Sequence, residues 1–120
     1  MEKNVILLHG FGEDHRVFDL IIPLIEEGFT IYTPDLPGSG YLAAEEALPD
    51  LEKMADWLAA YADTKGLDTF VLLGHSMGGY IALAFAEKYA YRLRGLGMLH
   101  STAYADSEAK KEIRLKAIDF

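Results

Sequence analysis

Short apolar runs alternate with glycine-punctuated turns and amphipathic stretches, and that alternation dictates the expected elements. Residues 4–8 (NVILL) are followed at once by Gly10 and Gly12, the pattern of a strand buried on both faces that enters a tight turn. In residues 17–27, Val17, Leu20, Ile21, Leu24 and Ile25 recur at helical spacing, with Gly28 as the stop. Pro23 interrupts this run and predicts a short turn followed by a restarted helix, since its ring clashes in a helix interior. Residues 29–33 (FTIYT) are aromatic and β-branched and predict a second strand. Pro, Gly and Ser crowd residues 34–49, which read as a long surface loop of the kind that usually serves a site. Residues 50–65 place Leu51, Met54, Ala55, Leu58, Ala59 and Ala62 on one face, with Asp50 as N-cap and Gly66 as stop. A third strand is expected at 69–73 (TFVLL), a helix at 76–89, a fourth strand at 93–99 and a last helix at 104–120. Strands alternating with helices predict an α/β fold: a three-layer α/β/α sandwich around a mostly parallel sheet of about four strands. It is expected to form one domain over residues 1–120, with its ligand at the carboxyl ends of the strands.

Composition narrows the function classes. The 120 residues are 51% hydrophobic and 25% charged, with seven Tyr, six Phe and one Trp, so the chain can bury a core and is not disordered. No apolar run approaches the ~20 residues of a membrane span, and the first four residues do not open a signal peptide. Cysteine is absent, which removes disulfides, zinc–thiolate sites and cysteine nucleophiles and fits a cytoplasmic protein. The net charge is -8, from 19 acids and 11 bases. The bases gather only at Lys110, Lys111, Arg114 and Lys116, interleaved with Glu108, Glu112 and Asp119. That is a solvated face and gives no basic surface for nucleic acid.

The candidate chemistry sits at two turns. Gly74-His75-Ser76-Met77-Gly78-Gly79 follows a buried strand and opens a helix, the context a G-x-S-x-G segment requires. A serine at the tip of such a turn takes strained dihedrals, so its neighbours must lack bulk, and Gly74 and Gly78 supply the room. His9-Gly10-Phe11-Gly12 follows the first strand in the same way. An oxyanion needs two converging backbone N–H groups, one just after the nucleophile and one from the loop after an adjacent strand. Those residues are Met77 and Phe11. With HGFG at 9–12, DLPGSG at 35–40 and GHSMGG at 74–79 at this spacing, the chain resembles the amino-terminal half of an α/β-hydrolase of the esterase, lipase and lactonase-like group. The resemblance implies a strand order of second, first, third, fourth. It also implies Ser76 as nucleophile and hydrolysis of a small carboxylic ester or lactone-like substrate through an acyl-enzyme.

The pattern departs from that family in places. Ser39 stands where relatives often have His, and Ala90 where many have Pro. More consequentially, the family's acid and base follow the nucleophile in the order Ser, Asp or Glu, His. Here the only histidine beyond Ser76 is His100 and the only acid between them is Glu87, while Asp106, Glu108, Glu112 and Asp119 come too late. The expectation is therefore a truncated chain of weak or no activity, with His100, at the end of the fourth strand, as the candidate base. His9, Gly10 and Gly12 are expected to brace the oxyanion loop, His75 to pack away from Ser76, and His15 to lie at the surface or a helix start. The histidines form no spaced pair for a metal. Gly38 to Ala43 formally matches a dinucleotide fingerprint, but it does not join a strand to a helix, so neither NAD nor another cofactor is expected. Two other readings stay open: a non-catalytic truncated or engineered fragment that self-assembles, and a ligand-binding protein on the same scaffold. A homodimer is expected, paired through an exposed sheet edge at Gly95–His100 or by exchange of the terminal helix.

Overall fold

Residue 3 onward, the chain threads a five-stranded sheet in the computed structural model, which describes residues 3–10, 12–25, 27–42, 50–100 and 112–116. The strands are β1 (Asn4–Leu8), β2 (Thr30–Tyr32), β3 (Phe70–His75), β4 (Leu93–His100) and β5 (Glu112–Lys116). Their order is β2-β1-β3-β4-β5. The first four are parallel, in the order expected from the sequence. All five residues of β1 are buried, as its unbroken apolar run requires of a central parallel strand.

Helices α1 (Leu51–Thr64) and α2 (Met77–Tyr89) pack on each other and on one face of the sheet. There Ala55 and Leu58 of α1 and Ile81 and Phe85 of α2 meet Ile6, Leu8, Phe70 and Leu72. The Asp50 side chain accepts from Lys53 N–H at 2.7 Å, so the expected N-cap starts α1. On the opposite face Val5, Leu7, Val71 and Leu73 are covered by Val17, Phe18, Ile21 and Ile25. The expected helix over 17–27 is replaced there by two 3-10 turns, His15–Phe18 and Ile22–Leu24. Pro23 lies inside the second turn, and its missing N–H stops the segment from continuing as one helix. The layering is thus α/β/α, with 3-10 turns in the second helical layer.

The largest difference lies at the carboxyl end. Residues 112–116, expected in a helix, form β5, antiparallel to β4 with Gly97 opposite Leu115 and Leu99 opposite Ile113. The other residues of 104–120 lie outside the described set. An apolar strand with open N–H and C=O groups binds any available backbone, and that demand outweighs the helical spacing of a short polar segment. Consequently Leu96–His100 is not an open edge, and the expected dimer through β4 pairing loses its ground.

Candidate active site

The carboxyl ends of β1 and β3 lie side by side, with Leu8 opposite Gly74, so the loops that follow them converge. Ser76 occupies the turn between β3 and α2 with φ 57° and ψ -122°, and it is the only non-glycine with positive φ among the described residues. Its side chain makes no capping bond to the helix it precedes, and the residue is exposed. The flanking glycines have a steric reason. A Cβ on Gly74 would overlap the Gly78 carbonyl, and one on Gly78 would overlap the Leu8 carbonyl. Gly10 is close-packed but less tight, since a Cβ there would lie 3.0 Å from Met77 N and 3.1 Å from the His75 carbonyl oxygen.

Of the two expected oxyanion donors, Met77 is the first residue of α2, where N–H groups have no intrahelical partner and the helix dipole is positive. Phe11 lies outside the described residues. Gly12 follows it with φ 77°. His9 is fully buried. Its Nε2 accepts from Leu36 N–H at 2.9 Å and its Nδ1 faces the Gly10 carbonyl oxygen at 2.8 Å. Those partners require a lone pair on Nε2 and the proton on Nδ1. His9 therefore links the loop after β1 to the loop after β2 and has no nitrogen left for proton transfer.

His75 packs edge-on to Phe18, with ring centroids 6.3 Å apart, and its Nδ1 lies 2.7 Å from Glu13 Oε1. His15 begins a 3-10 turn and bonds Asp35 through both its N–H and its Nδ1, each at 2.8 Å from Oδ1. Asp14, His15 and Asp35 bring ligand-type atoms within 4.8 Å of one another, a grouping invisible in sequence because 20 residues separate His15 from Asp35. Arg16 holds Asp14 at 2.6 Å, and that hydrogen bond sets the Asp14 carboxyl far below the usual carboxylate range. Within it the Asp35 carboxylate is bonded by His15, while Asp14 is bonded by Arg16 from outside the cluster. His100 ends β4 one position beyond Leu99, which is the register partner of His75, so its backbone lies beside the strand that leads into Ser76.

Next to the Ser76 turn lies a cavity of about 330 Å³. Gly10, Met77, Leu36, Pro37, Met54 and Ile81 contribute to its wall, with Glu13 and Asp14. Sequence reasoning missed Glu13. The available signal was an acid three residues beyond Gly10, close enough to fold back on that N–H.

The family model for the alpha/beta hydrolase fold matches residues 3–117, and the chain belongs to that family. It is 37% identical over 102 residues to a pimeloyl-[acyl-carrier protein] methyl ester esterase of Neisseria meningitidis, covering 84% of this chain and 31% of that protein. It is 28% identical over 105 residues to a dihydrolipoyllysine-residue acetyltransferase component of the acetoin cleaving system of Cupriavidus necator, covering 88% of this chain and 28% of that one. Among solved structures, a thermophilic esterase from Thermogutta terrifontis superposes with a TM-score of 0.72 at 37% identity, over 91% of this chain and 40% of that one. The chain thus spans between 28% and 31% of the length of those two curated relatives. Among the described residues no helix is long and apolar enough to cross a membrane.

Proposed function

We propose that residues 1–120 form one domain carrying the nucleophile and oxyanion-binding part of a serine hydrolase for a carboxylic ester or lactone-like bond. The observation that carries this reading is Ser76, a non-glycine residue at φ 57° on the strand-to-helix turn. Such strain costs on the order of 1–3 kcal/mol and persists where a function needs it. In the proposed step Ser76 Oγ attacks the carbonyl carbon and its proton passes to a base. The N–H groups of Met77 and Phe11 hold the resulting oxyanion. Collapse breaks the bond to the alcohol oxygen, which leaves protonated, and water then releases the acid from the acyl-enzyme. His100 is the base candidate, supported by the β3–β4 register.

Within residues 77–120 no acid–histidine pair follows Ser76 in family order, so turnover by this 120-residue segment on its own is expected to be weak. Enzymes stripped of triad members retain ~10³–10⁴-fold acceleration over water, which is an upper guide here. The test is hydrolysis of p-nitrophenyl esters, with a methyl ester included because the Neisseria relative is named for one. Turnover should vanish in Ser76→Ala and fall in His100→Ala. Equal rates in wild type and Ser76→Ala would overturn the reading. The cavity beside Met77 favours a ligand-binding protein as the second reading, and saturable binding without Ser76-dependent turnover would select it.

A further inference from the structure

We propose that Glu13 is a positioning residue of this site, its carboxylate holding the loop after β1 against the nucleophile turn; the inference rests on the serine-hydrolase reading above. A single oxygen, Glu13 Oε1, accepts from Gly10 N–H at 2.5 Å and meets His75 Nδ1 at 2.7 Å. Those partners belong to different loops: Gly10 lies two residues past β1, and His75 ends β3 immediately before Ser76. The carboxylate therefore ties the backbone on one side of the oxyanion site to the residue that precedes the nucleophile.

Geometry explains why the tie matters. Gly10 backs onto Met77 N, where a Cβ would lie 3.0 Å away, close enough that the neighbour would have to give by a few tenths of an ångström. Gly12 has a positive φ and glycine provides little local stiffness, so the loop's position must come from its contacts. Among the described residues His9 supplies one such contact and Glu13 another. The Glu13 side chain is 23% exposed and that of His75 13%, so these charge-assisted bonds are sheltered and stronger than surface pairs. Both donors act on the oxygen that faces the turn, which limits the repulsion a free carboxylate would exert on an oxyanion. The neighbouring charge, Asp14, is occupied by Arg16.

The test is covalent labelling of the 120-residue chain with an alkyl fluorophosphonate. In this reaction Ser76 Oγ forms the P–O bond, fluoride leaves and the hydroxyl proton passes to solvent. Removing an oxyanion donor outright costs about 10²–10³-fold, so loosening its frame should cost about tenfold. Glu13→Ala is expected to lower the maximal labelling rate about tenfold with the half-saturating probe concentration unchanged. Glu13→Gln keeps an acceptor oxygen at the same reach and should stay within about threefold of wild type. Glu13→Asp keeps the charge but withdraws it by one methylene, and should be as slow as Ala. If Glu13→Ala does not fold, as judged by circular dichroism, the Gln and Asp variants carry the same comparison. Ser76-dependent labelling that is equally fast in wild type, Glu13→Asp and Glu13→Ala would overturn the positioning role alone. Labelling that Ser76→Ala does not abolish would sink the serine-hydrolase reading and the inference with it.

Discussion

At the scale of single residues, the nucleophile turn holds a testable store of strain. Ser76 adopts φ 57° with ψ -122°, a combination that glycine tolerates and a Cβ resists. Ser76→Gly should relieve about 1–3 kcal/mol of strain and lose about 0.5–1 kcal/mol to the greater freedom of glycine in the unfolded chain. The expected net is a gain of about 1 kcal/mol over Ser76→Ala, which keeps the Cβ. Urea unfolding of the two variants measures it, and a Gly variant less stable than the Ala variant would show that the turn is relaxed. This strain was legible in sequence because Gly74 and Gly78 bracket a serine between a strand and a helix. Glu13 was not legible in that way. Its partners, Gly10 and His75, are 3 and 62 residues away, and no local spacing rule connects an acid to a strand end that far along the chain.

At the scale of elements, legibility follows how much of each element's stabilisation is local. Helix α1 was readable because its apolar face lies within it and its Asp50 cap and Gly66 stop lie directly beside it, and Gly66 takes φ 72° as a C-terminal glycine should. Strand β1 was readable from burial alone. Residues 112–116 were not, because their state depends on β4, and their helical charge spacing pointed the other way. The contact between α1 and α2 illustrates a tertiary term with a pH signature. Asp56 accepts from Lys88 Nζ at 2.8 Å and from Tyr89 OH at 2.6 Å. The Lys88 hydrogen bond, then that of Tyr89, lowers the Asp56 pKa below its ordinary value. A folded-state pKa below the unfolded one means that the contribution is complete above about pH 4 and is lost as pH falls through the lowered value. Melting temperature should therefore drop on acidification from about pH 5 to about pH 3, and Asp56→Asn should flatten part of that drop while lowering stability at neutral pH. An acid limb identical in Asp56→Asn would assign the loss to other carboxylates.

At the scale of the whole molecule, the two ends of the sheet decide whether one chain is self-sufficient. β2 lies at one end and is only three residues long, and short edge strands recruit partners poorly. The other end would be β4, whose Leu96, Gly97, Met98 and Leu99 lack edge charges, but β5 pairs along it from Leu96 to His100. β5 then forms the edge itself, and its Glu112, Arg114 and Lys116 are charges of the kind that discourage further strand pairing, so the 120-residue chain should run as a single particle of 13.3 kDa in light scattering. The pairing itself can be broken at its middle, opposite Gly97 and Met98 and away from the His100–Glu112 end. Neighbouring residues of an antiparallel strand alternate in donating to the ladder, so replacing both Arg114 and Leu115 by proline removes at least one donor and kinks β5 whichever register position carries the bond. The bared strand should then recruit a second copy, giving a mass of two chains or more at micromolar concentration, while the β1 to β4 part keeps its circular dichroism. A wild-type dimer that the two prolines dissolve would mean instead that β5 is exchanged between copies. A variant that stays at the mass of one chain would mean that β4 has no such demand, and that the antiparallel pairing is not what keeps the molecule single.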